Sequence, residues 1–266
     1  MCETPIRGLW LIVEPLLPPV KVPGLKKGWR PRISDQAIFY RLALFLRAGC
    51  AWEVFDLLLV GSAVSGRTVR RRLAQWRELG IFERVCQQLV EGAAAPSIGY
   101  LDATFLRSRG GGSEEIGLTR HGKGSKLQVI VNERSIPVAF LLVSANPAEA
   151  TTTRELLELA GVRLPLTIVA DRAYDSDDLR QEVSSRGSTL VVPHRRGRVK
   201  PPRDQELVAT LYRERWRVER FNAWLAAWRR IATRWEKSLA NYRSLLCLAI
   251  SLIIVRAQQA EAPFCP

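Results

Sequence analysis

The pattern of hydrophobic and polar positions changes near residue 96. Before that point, apolar residues recur every three or four positions in segments that start at a capping residue and stop at glycine, such as 34–49 and 65–80. After it, short apolar runs typical of strands alternate with helical segments. We therefore predict a small all-α domain at 1–96, followed by an α/β domain at 97–266.

The α/β domain is predicted to contain a mixed sheet. Its strands begin with a hairpin arrangement and then alternate with helices, which is the layout of a ribonuclease H-like fold. The predicted strands are 97–106, 126–133, 136–145, 164–171 and 188–193, the predicted helices are 147–161, 176–187 and 209–237, and the Gly-rich segment 107–125 is expected to be a loop. A fold of this layout places acids at the ends of adjacent strands and another acid on a following helix.

The helix predicted from Ala209 to Lys237 carries Glu219 in strongly basic surroundings. Tyr212, Arg215 and Glu219 stand at positions i, i+3 and i+7, so they share one face of that helix. Taken alone, Glu219 could simply form an ion pair with Arg215 or Arg220.

Two further acids stand on predicted strands. Asp102 lies among apolar neighbours, where a carboxylate is costly to bury without a counter-ion, and Asp171 closes a hydrophobic strand. If the two strands are neighbours, these acids converge and Glu219 completes a set of three oxygen donors, which favours Mg²⁺ or Mn²⁺. Two such ions, about 3.5–4 Å apart, can promote an in-line displacement at phosphorus. Taken singly, Asp102 could instead bond to neighbouring backbone, and Asp171 could cap the following helix.

The charge balance indicates a polyanionic partner. The 266 residues include 40 lysines and arginines against 26 acidic residues, which gives a net charge of +14. Because the excess is spread along the chain, nucleic acid is the simplest partner. Arg67, Arg70 and Arg71 stand near the start of the third short helix of a possible helix-turn-helix, where a recognition helix meets DNA. The basic segment 26–32 could follow a phosphate backbone or be a solvated linker.

Cysteine and histidine usage argues against several kinds of site. The 5 cysteines are scattered without a CxxC pair, which argues against a zinc ribbon or a disulfide framework, and 2 histidines leave little for a His-rich metal site. The start of the chain lacks the pattern of a secretory signal, and the apolar run 245–255 is short for a bilayer. We expect an intracellular, reducing location and no membrane partner.

Four segments agree with a known family in order, spacing and flanking residues. They read GYLDATFLRS, GSKLQVIVNERSIPVAFLLV, TIVADRAYDSDDLR and, near the C-terminus, a block that begins YRERWRVERFNAWL. The chain resembles transposases of the DDE class, specifically the insertion-sequence-five family of bacteria, over nearly its whole length. Tyr212, Arg215 and Glu219 fit the family pattern of Y, two residues, R, three residues, E.

The resemblance implies a DNA transposase that binds terminal inverted repeats and catalyses metal-dependent strand cleavage and strand transfer. It implies that Asp102, Asp171 and Glu219 bind two metal ions, Mg²⁺ or Mn²⁺. It also implies double-stranded DNA as the partner, a homodimer on that DNA, and a cytoplasmic, nucleoid-associated location in bacteria. The residues expected to contact DNA are Tyr212, Arg215, Arg67, Arg70, Arg71, Arg195, Arg196, Arg198, Lys200, Arg229 and Arg230.

One position departs from the family pattern. The family places a Lys or Arg after six further residues beyond Glu219, and here that position is Ala226. Arg229 and Arg230 follow on the same predicted helix and could replace the missing cation. Two alternative functions stay open, namely a metal-dependent nuclease of the same fold and a DNA-binding relic or repressor with impaired catalysis.

Overall fold

The structure is a computed structural model that describes residues 4–19, 32–92, 95–109, 112, 114–201 and 205–261. The helices are α1 (Thr4–Val13), α2 (Asp35–Ala48), α3 (Trp52–Leu58), α4 (Gly66–Glu78), α5 (Ile81–Glu91), α6 (Glu149–Ala160), α7 (Asp177–Ser185), α8 (Gln205–Leu211), α9 (Trp216–Ala226), α10 (Arg229–Ala232) and α11 (Leu239–Glu261). The strands are β1 (Ile98–Ser108), β2 (Gly117–Thr119), β3 (Gly122–Val131), β4 (Pro137–Ser144), β5 (Thr167–Val169), β6 (Thr189–Val191) and β7 (Thr233–Arg234).

The chain divides into two compact units. A helical unit comprises Met1–Gln87, Trp228–Ile231 and Ser238–Pro266, and a sheet unit comprises Gln88–Ala227 and Ala232–Lys237. The sequence-based division at residue 96 assigned the whole C-terminal part to one domain. In the structure, α11 is grouped with the helical unit because it packs against α1, α2 and α4.

Helices α2 and α4 begin as their sequences predict. The Ser34 hydroxyl accepts a hydrogen bond from the Ala37 N–H at 3.2 Å, and the Ser65 hydroxyl accepts one from the Thr68 N–H at 3.3 Å. Gly49 follows α2 with φ of 65°, the left-handed conformation that ends many helices. These local signals therefore set where both helices begin and where α2 ends.

Helix α11 extends well beyond the apolar run that the sequence analysis considered too short for a bilayer. Within the described chain, Leu239–Ala260 is long and apolar enough to cross a membrane, and 72% of its most apolar window is buried inside the protein. The core helix of a soluble protein has the same length and composition, so no conclusion about membranes follows.

The sheet is mixed, as predicted, and its strands run in the order β4, β3, β1, β5, β6. Strand β1 is antiparallel to β3 and parallel to β5, and β5 is parallel to β6. The short strands β2 and β7 pair with β3 and β1, respectively. The predicted adjacency of the two acid-bearing strands is thus confirmed.

Helices cover the sheet on both faces. On one face, α6 and α7 bury Leu156, Leu157 and Val183 in a cluster with Leu101 of β1. Because side chains alternate along a strand, Asp102 points to the opposite face. There α9 packs against β1 and β3 and buries Val218, Phe221 and Leu225.

The prediction of a single helix at 209–237 is wrong. The structure breaks this segment into the end of α8, a 3₁₀ turn at Tyr212–Arg215, α9, α10 and the short strand β7. Strand β7 pairs with β1, and the fully buried Arg234 guanidinium donates hydrogen bonds to the carbonyl oxygens of Glu114 and Glu236. These tertiary bonds outweigh the local helix propensity.

The segment 107–125, expected to be a loop, contains β2 and the beginning of β3. Its glycines permit close strand approach, because a Cβ on Gly124 would lie 2.5 Å from the ring of Phe105 and from the carbonyl oxygen of Leu106. Glycine here is therefore a requirement of strand pairing and not a sign of irregular structure.

Candidate metal and DNA site

Asp102 and Asp171 occupy equivalent positions on neighbouring parallel strands. The β1–β5 ladder pairs Tyr100 with Val169, and each acid follows two residues later. The register alone therefore places the two acids side by side, Asp102 within β1 and Asp171 just beyond the end of β5.

Asp102 is held between two side chains that come from the segment around α9. Arg215 Nη1 lies 3.5 Å from Asp102 Oδ1, and Asn222 Nδ2 donates a hydrogen bond to Oδ2 at 3.2 Å. Burial raises the pKa of Asp102, the positive charge of Arg215 acts against this rise, and the charge of Asp171 adds to it. Asp102 is therefore a partly desolvated carboxylate with a built-in counter-ion.

Glu219 joins the same group of charges through Arg215. Arg215 Nη2 donates a hydrogen bond to Glu219 Oε1 at 3.3 Å, so the guanidinium bridges Asp102 and Glu219. The Arg215 guanidinium also lies 5.7 Å from the ring centre of Tyr212. The predicted row of Tyr212, Arg215 and Glu219 therefore exists, although it spans a 3₁₀ turn and the start of α9. The ion pair that the sequence analysis kept as an alternative for Glu219 is present.

Burial alone would lower the pKa of Arg215, but its surroundings reverse this effect. Asp102 contributes the largest opposing influence, followed by Tyr212, Asp171 and Glu219, and together they raise the pKa above its ordinary value. The side chain is only 14% exposed, while that of Glu219 is 62% exposed. Arg215 is consequently a largely buried, charged side chain that is paired with the exposed carboxylate of Glu219.

Asp171 also has the structural role that the sequence analysis considered. Its Oδ1 accepts a hydrogen bond from the Ala173 N–H at 2.9 Å and so caps the short 3₁₀ helix Arg172–Tyr174. This bond fixes one carboxylate oxygen. The capping role and a ligand role are compatible, since a carboxylate has two oxygens and about four acceptor positions.

Three further polar residues, which the sequence analysis missed, interact with Asp102 and Asp171 or with one another: Glu149, Lys126 and Tyr174. Burial raises the pKa of Glu149, Lys126 opposes the rise, and Asp171 and Asp102 add to it. Lys126 Nζ lies 3.6 Å from Glu149 Oε1. The side chain of Tyr174 is buried, and this burial raises its pKa well above the usual value. The negative charges of Glu149, Asp102 and Asp171 raise the pKa further. The sequence analysis placed Glu149 in a predicted helix and Tyr174 in the motif TIVADRAYDSDDLR, but it assigned a role to neither residue.

The side chains of Asp102, Asp171 and Glu219 have the chemistry to bind a divalent cation, but they are not grouped at metal-binding distances. Within the described residues, no three His, Cys, Asp or Glu side chains are grouped at metal-binding distances. The donors are hard carboxylate oxygens, and the Arg215 guanidinium already places a positive charge between two of them. In addition, Asn222 Oδ1 is buried beside Asp102 and has no hydrogen-bond partner among the residues that the structure describes. An unsatisfied oxygen and a substitute cation are both expected where a metal ion can enter.

The predicted DNA-contacting residues at 195–200 fall into two groups. Arg198 bonds to Asp175 and Asp177, and Lys200 Nζ lies 2.6 Å from Asp177 Oδ2. Hydrogen bonds from Lys200 and Arg198 lower the pKa of Asp177 to about 2. Arg195 and Arg196, in contrast, have exposed side chains. Arg198 therefore anchors this segment, which we call the basic loop, while Arg195 and Arg196 remain available to a ligand.

The predicted recognition residues Arg67, Arg70 and Arg71 are all exposed on α4 in the helical unit. Their neighbour Arg72 is buried and forms an ion pair with Asp35 of α2. The helix-turn-helix itself stays a prediction. Most of the basic segment 26–32 lies outside the described residues, and its last residue, Arg32, pairs with Asp35 at 3.0 Å.

The expectation that Arg230 contacts DNA needs correction. Arg230 is 1% exposed, donates a hydrogen bond to the Cys50 carbonyl oxygen, and lies 4.4 Å from the ring centre of Phe45. It is thus part of the core of the helical unit. Arg229 is exposed, as is Ala226, but Arg229 belongs to the helical unit and the acids belong to the sheet unit.

The strand order β4, β3, β1, β5, β6, with helices on both faces, fits the class of ribonuclease H-like domains. Comparison with known proteins is more specific. Residues 93–254 match the family model "Transposase DDE domain", and residues 7–86 match "Putative transposase of IS4/5 family". The chain belongs to the DDE transposase family, which confirms the resemblance seen in its sequence motifs.

Individual relatives agree with the family models. The chain is 31% identical over 139 residues to "Putative transposase for insertion sequence element IS402" of Burkholderia cepacia, a match that covers 49% of this chain and 62% of the relative. It is 29% identical over 135 residues to "Putative transposase for insertion sequence element IS6501" of Brucella ovis, covering 50% of this chain and 98% of the relative. The match to the IS402 protein thus spans less than two thirds of that protein's length.

Among solved structures, the piggyBac transposase in a synaptic complex with hairpin DNA has a similar fold. The TM-score is 0.55 at 9% sequence identity, and the match covers 95% of this chain and 71% of that chain. Similarity at this identity concerns the fold alone.

Proposed function

We propose that this chain is a DNA transposase that binds the terminal inverted repeats of an insertion sequence and catalyses metal-dependent strand cleavage and strand transfer. The observation that carries the proposal is the convergence of Asp102 and Asp171 on neighbouring strands, with Glu219 linked to Asp102 through Arg215. Family membership and the strongly basic composition support it.

Asp102, Asp171 and Glu219 would hold the divalent cations, Mg²⁺ or Mn²⁺, whose use membership of the DDE family implies. When bound, such ions supply a more acidic attacking hydroxyl and stabilise the leaving oxygen of the displacement. Asp102 and Asp171 would bind from the sheet, whose rigid strands fix their separation. Glu219 would bind from α9, where its exposed side chain can turn inward.

Arg215 and Tyr212 would act on the DNA. In the protein alone, the Arg215 guanidinium neutralises Asp102 and Glu219. With these acids engaged in holding cations, the Arg215 guanidinium would be free to donate to a phosphate oxygen next to the scissile bond. Tyr212 stacks beside Arg215 and would keep it pointing toward the substrate.

Binding of the DNA ends would rest on exposed arginines. Arg67, Arg70 and Arg71 would contact bases and phosphates from α4, in the manner of a helix-turn-helix. Arg195 and Arg196 would contact the backbone from the basic loop. Since transposition joins two ends, a homodimer on DNA is part of this proposal.

The test is cleavage of a labelled duplex carrying the element's own end, with and without Mg²⁺. We expect the wild-type chain to nick at the end in a metal-dependent manner and Glu219→Gln to lose this activity while keeping DNA affinity. Glu214→Gln is the matched control, because it makes the same change in the adjacent turn at an acid that pairs with Arg217 at 2.7 Å. This control should nick as the wild-type chain does. Equal cutting of unrelated DNA would favour a nuclease instead.

A second function has one observation in its favour. The family's basic position is Ala226 in this chain, as expected for a DNA-binding repressor that has lost catalysis. In that case the wild-type chain and Glu219→Gln would both bind the end in the same assay and neither would nick it.

A further inference from the structure

Asn222 stands on α9 one turn after Glu219, at the i+3 position on the same side of the helix. Its Nδ2 donates a hydrogen bond to Asp102 Oδ2 at 3.2 Å. Its Oδ1 is buried and accepts no hydrogen bond from the described residues. The Asn222 N–H group is therefore bonded to a proposed metal ligand, whereas the Asn222 oxygen has no hydrogen-bond partner among the described residues.

The orientation of the amide follows from its neighbour. A carboxylate only accepts hydrogen bonds, so turning the amide over would set Asn222 Oδ1 against Asp102 Oδ2 and lose the one bond that is made. The unpaired atom is consequently the oxygen. A buried carbonyl oxygen without a donor is unfavourable, and such exceptions call for an ion, a water molecule or a functional role.

We infer that Asn222 is a fourth oxygen donor of the divalent-metal site, an inference that rests on the proposed function. An amide oxygen is a hard, neutral ligand of the kind that Ca²⁺ sites use and that protein kinases use for Mg²⁺. It adds an oxygen to Asp102, Asp171 and Glu219 without adding negative charge near DNA phosphates. The Nδ2 bond to Asp102 would hold that oxygen in place.

The alternative is that Asn222 acts only through its N–H, by orienting Asp102. Two substitutions separate these roles. Asn222→Leu removes both the oxygen and the N–H at similar volume, whereas Asn222→Asp keeps an oxygen donor and removes the N–H. An oxygen-donor role predicts that only the leucine variant loses metal affinity, while a purely orienting role predicts that both variants do.

The experiment is a titration of the full chain with Mn²⁺. Binding is measured by calorimetry and by the electron paramagnetic resonance signal of free Mn²⁺. We expect Asn222→Leu to bind about tenfold more weakly than wild type, and Asn222→Asp to bind at least as tightly. Asn146→Leu, at an exposed asparagine of the same unit, is the matched control and should bind as wild type does. Circular dichroism verifies that each variant is folded.

Wild-type affinity in Asn222→Leu would overturn the inference, and so would equal weakening in the leucine and aspartate variants. Asp102→Asn separates failure of the inference from failure of the proposed function. If Asp102→Asn abolishes Mn²⁺ binding while Asn222→Leu does not change it, the inference alone fails. If the wild-type chain binds no Mn²⁺, or Asp102→Asn binds it normally, the proposed metal site fails as well.

Discussion

Asp175 is the residue on which the basic loop depends most, and Asp175→Ala is the most informative perturbation outside the acids. Its carboxylate is 2% exposed and accepts hydrogen bonds from the Arg195 N–H at 2.9 Å, from Arg180 Nη2 at 3.3 Å and from Arg198 Nη1. Burial tends to raise the pKa of Asp175, but these three donors outweigh it and lower the pKa. The substitution leaves all three donors without this acceptor.

Breaking a buried ion pair by removing one partner costs about 3–5 kcal/mol. Here Arg180 keeps its bond to the Leu190 carbonyl oxygen and Arg198 keeps Asp177, so we expect about 2–3 kcal/mol for Asp175→Ala. This corresponds to a fall in Tm of about 4–12 °C for a domain of this size. Asp178→Ala, which makes the same charge change at an exposed acid in the first turn of α7, should cost less than about 1 kcal/mol.

The assays are calorimetric unfolding and limited trypsin digestion, because release of the loop exposes cleavage sites after Arg195 and Arg196. Since the pKa of Asp175 is lowered in the folded state, its stabilising contribution is complete above the unfolded value of about 3.9. It is lost as the pH falls through the folded value. The difference between wild type and Asp175→Ala should therefore stay constant from pH 7 to about pH 4 and shrink as the pH falls further. Equal stability and equal digestion of the two proteins at pH 7 would refute this reasoning.

Arg230→Ala should lower the free energy of unfolding by about 2–4 kcal/mol, because it removes a buried hydrogen bond and a cation–π contact. Arg229→Ala should change the free energy of unfolding by less than about 0.5 kcal/mol. Equal urea unfolding midpoints for the two variants would contradict the assignment of Arg230 to the core. Mg²⁺ at about 100 times its Kd should add about 2.7 kcal/mol to the free energy of unfolding of the wild-type chain, which scanning calorimetry would detect as an increase in Tm. The increase in Tm should be smaller in Glu219→Gln. An equal increase in Tm in both proteins would place the ion elsewhere. Arg67→Ala should reduce the slope of log affinity against log salt by about 0.9 in DNA-binding titrations, while Arg186→Ala, whose side chain already pairs with Glu182, should leave the slope unchanged.

Local sequence signals predicted the parts of the fold that depend on neighbouring residues. The caps at Ser34 and Ser65 and the apolar runs of β1, β3, β4 and β5 each carry their structure within a few residues. The convergence of Asp102 and Asp171 depended on their strands being neighbours, and the pairing of β1 with β5 meets that condition.

The failures arose where distant parts of the chain decide the outcome. Arg229 and Arg230 are adjacent and identical in the sequence, yet only Arg230 packs on Phe45, so no local pattern could separate them. The break before β7 has the same cause, because β7 pairs with the distant strand β1 and Arg234 donates a hydrogen bond to the carbonyl oxygen of Glu114. Burial of a charge is a property of the fold, and the sequence reveals only that the charge is present.

Arg215 shows why the three predicted acids do not by themselves describe the site. Three carboxylates near one another destabilise the folded chain unless a positive charge is present, and Arg215 provides that charge to Asp102 and Glu219 together. A cation that entered would have to displace this guanidinium from both acids. The proposed function would then have a free arginine beside the acids, where it could hold a phosphate group. Under the proposed function, metal binding and readiness to bind DNA would therefore be coupled through one side chain, which is a relation that residue spacing alone could not reveal.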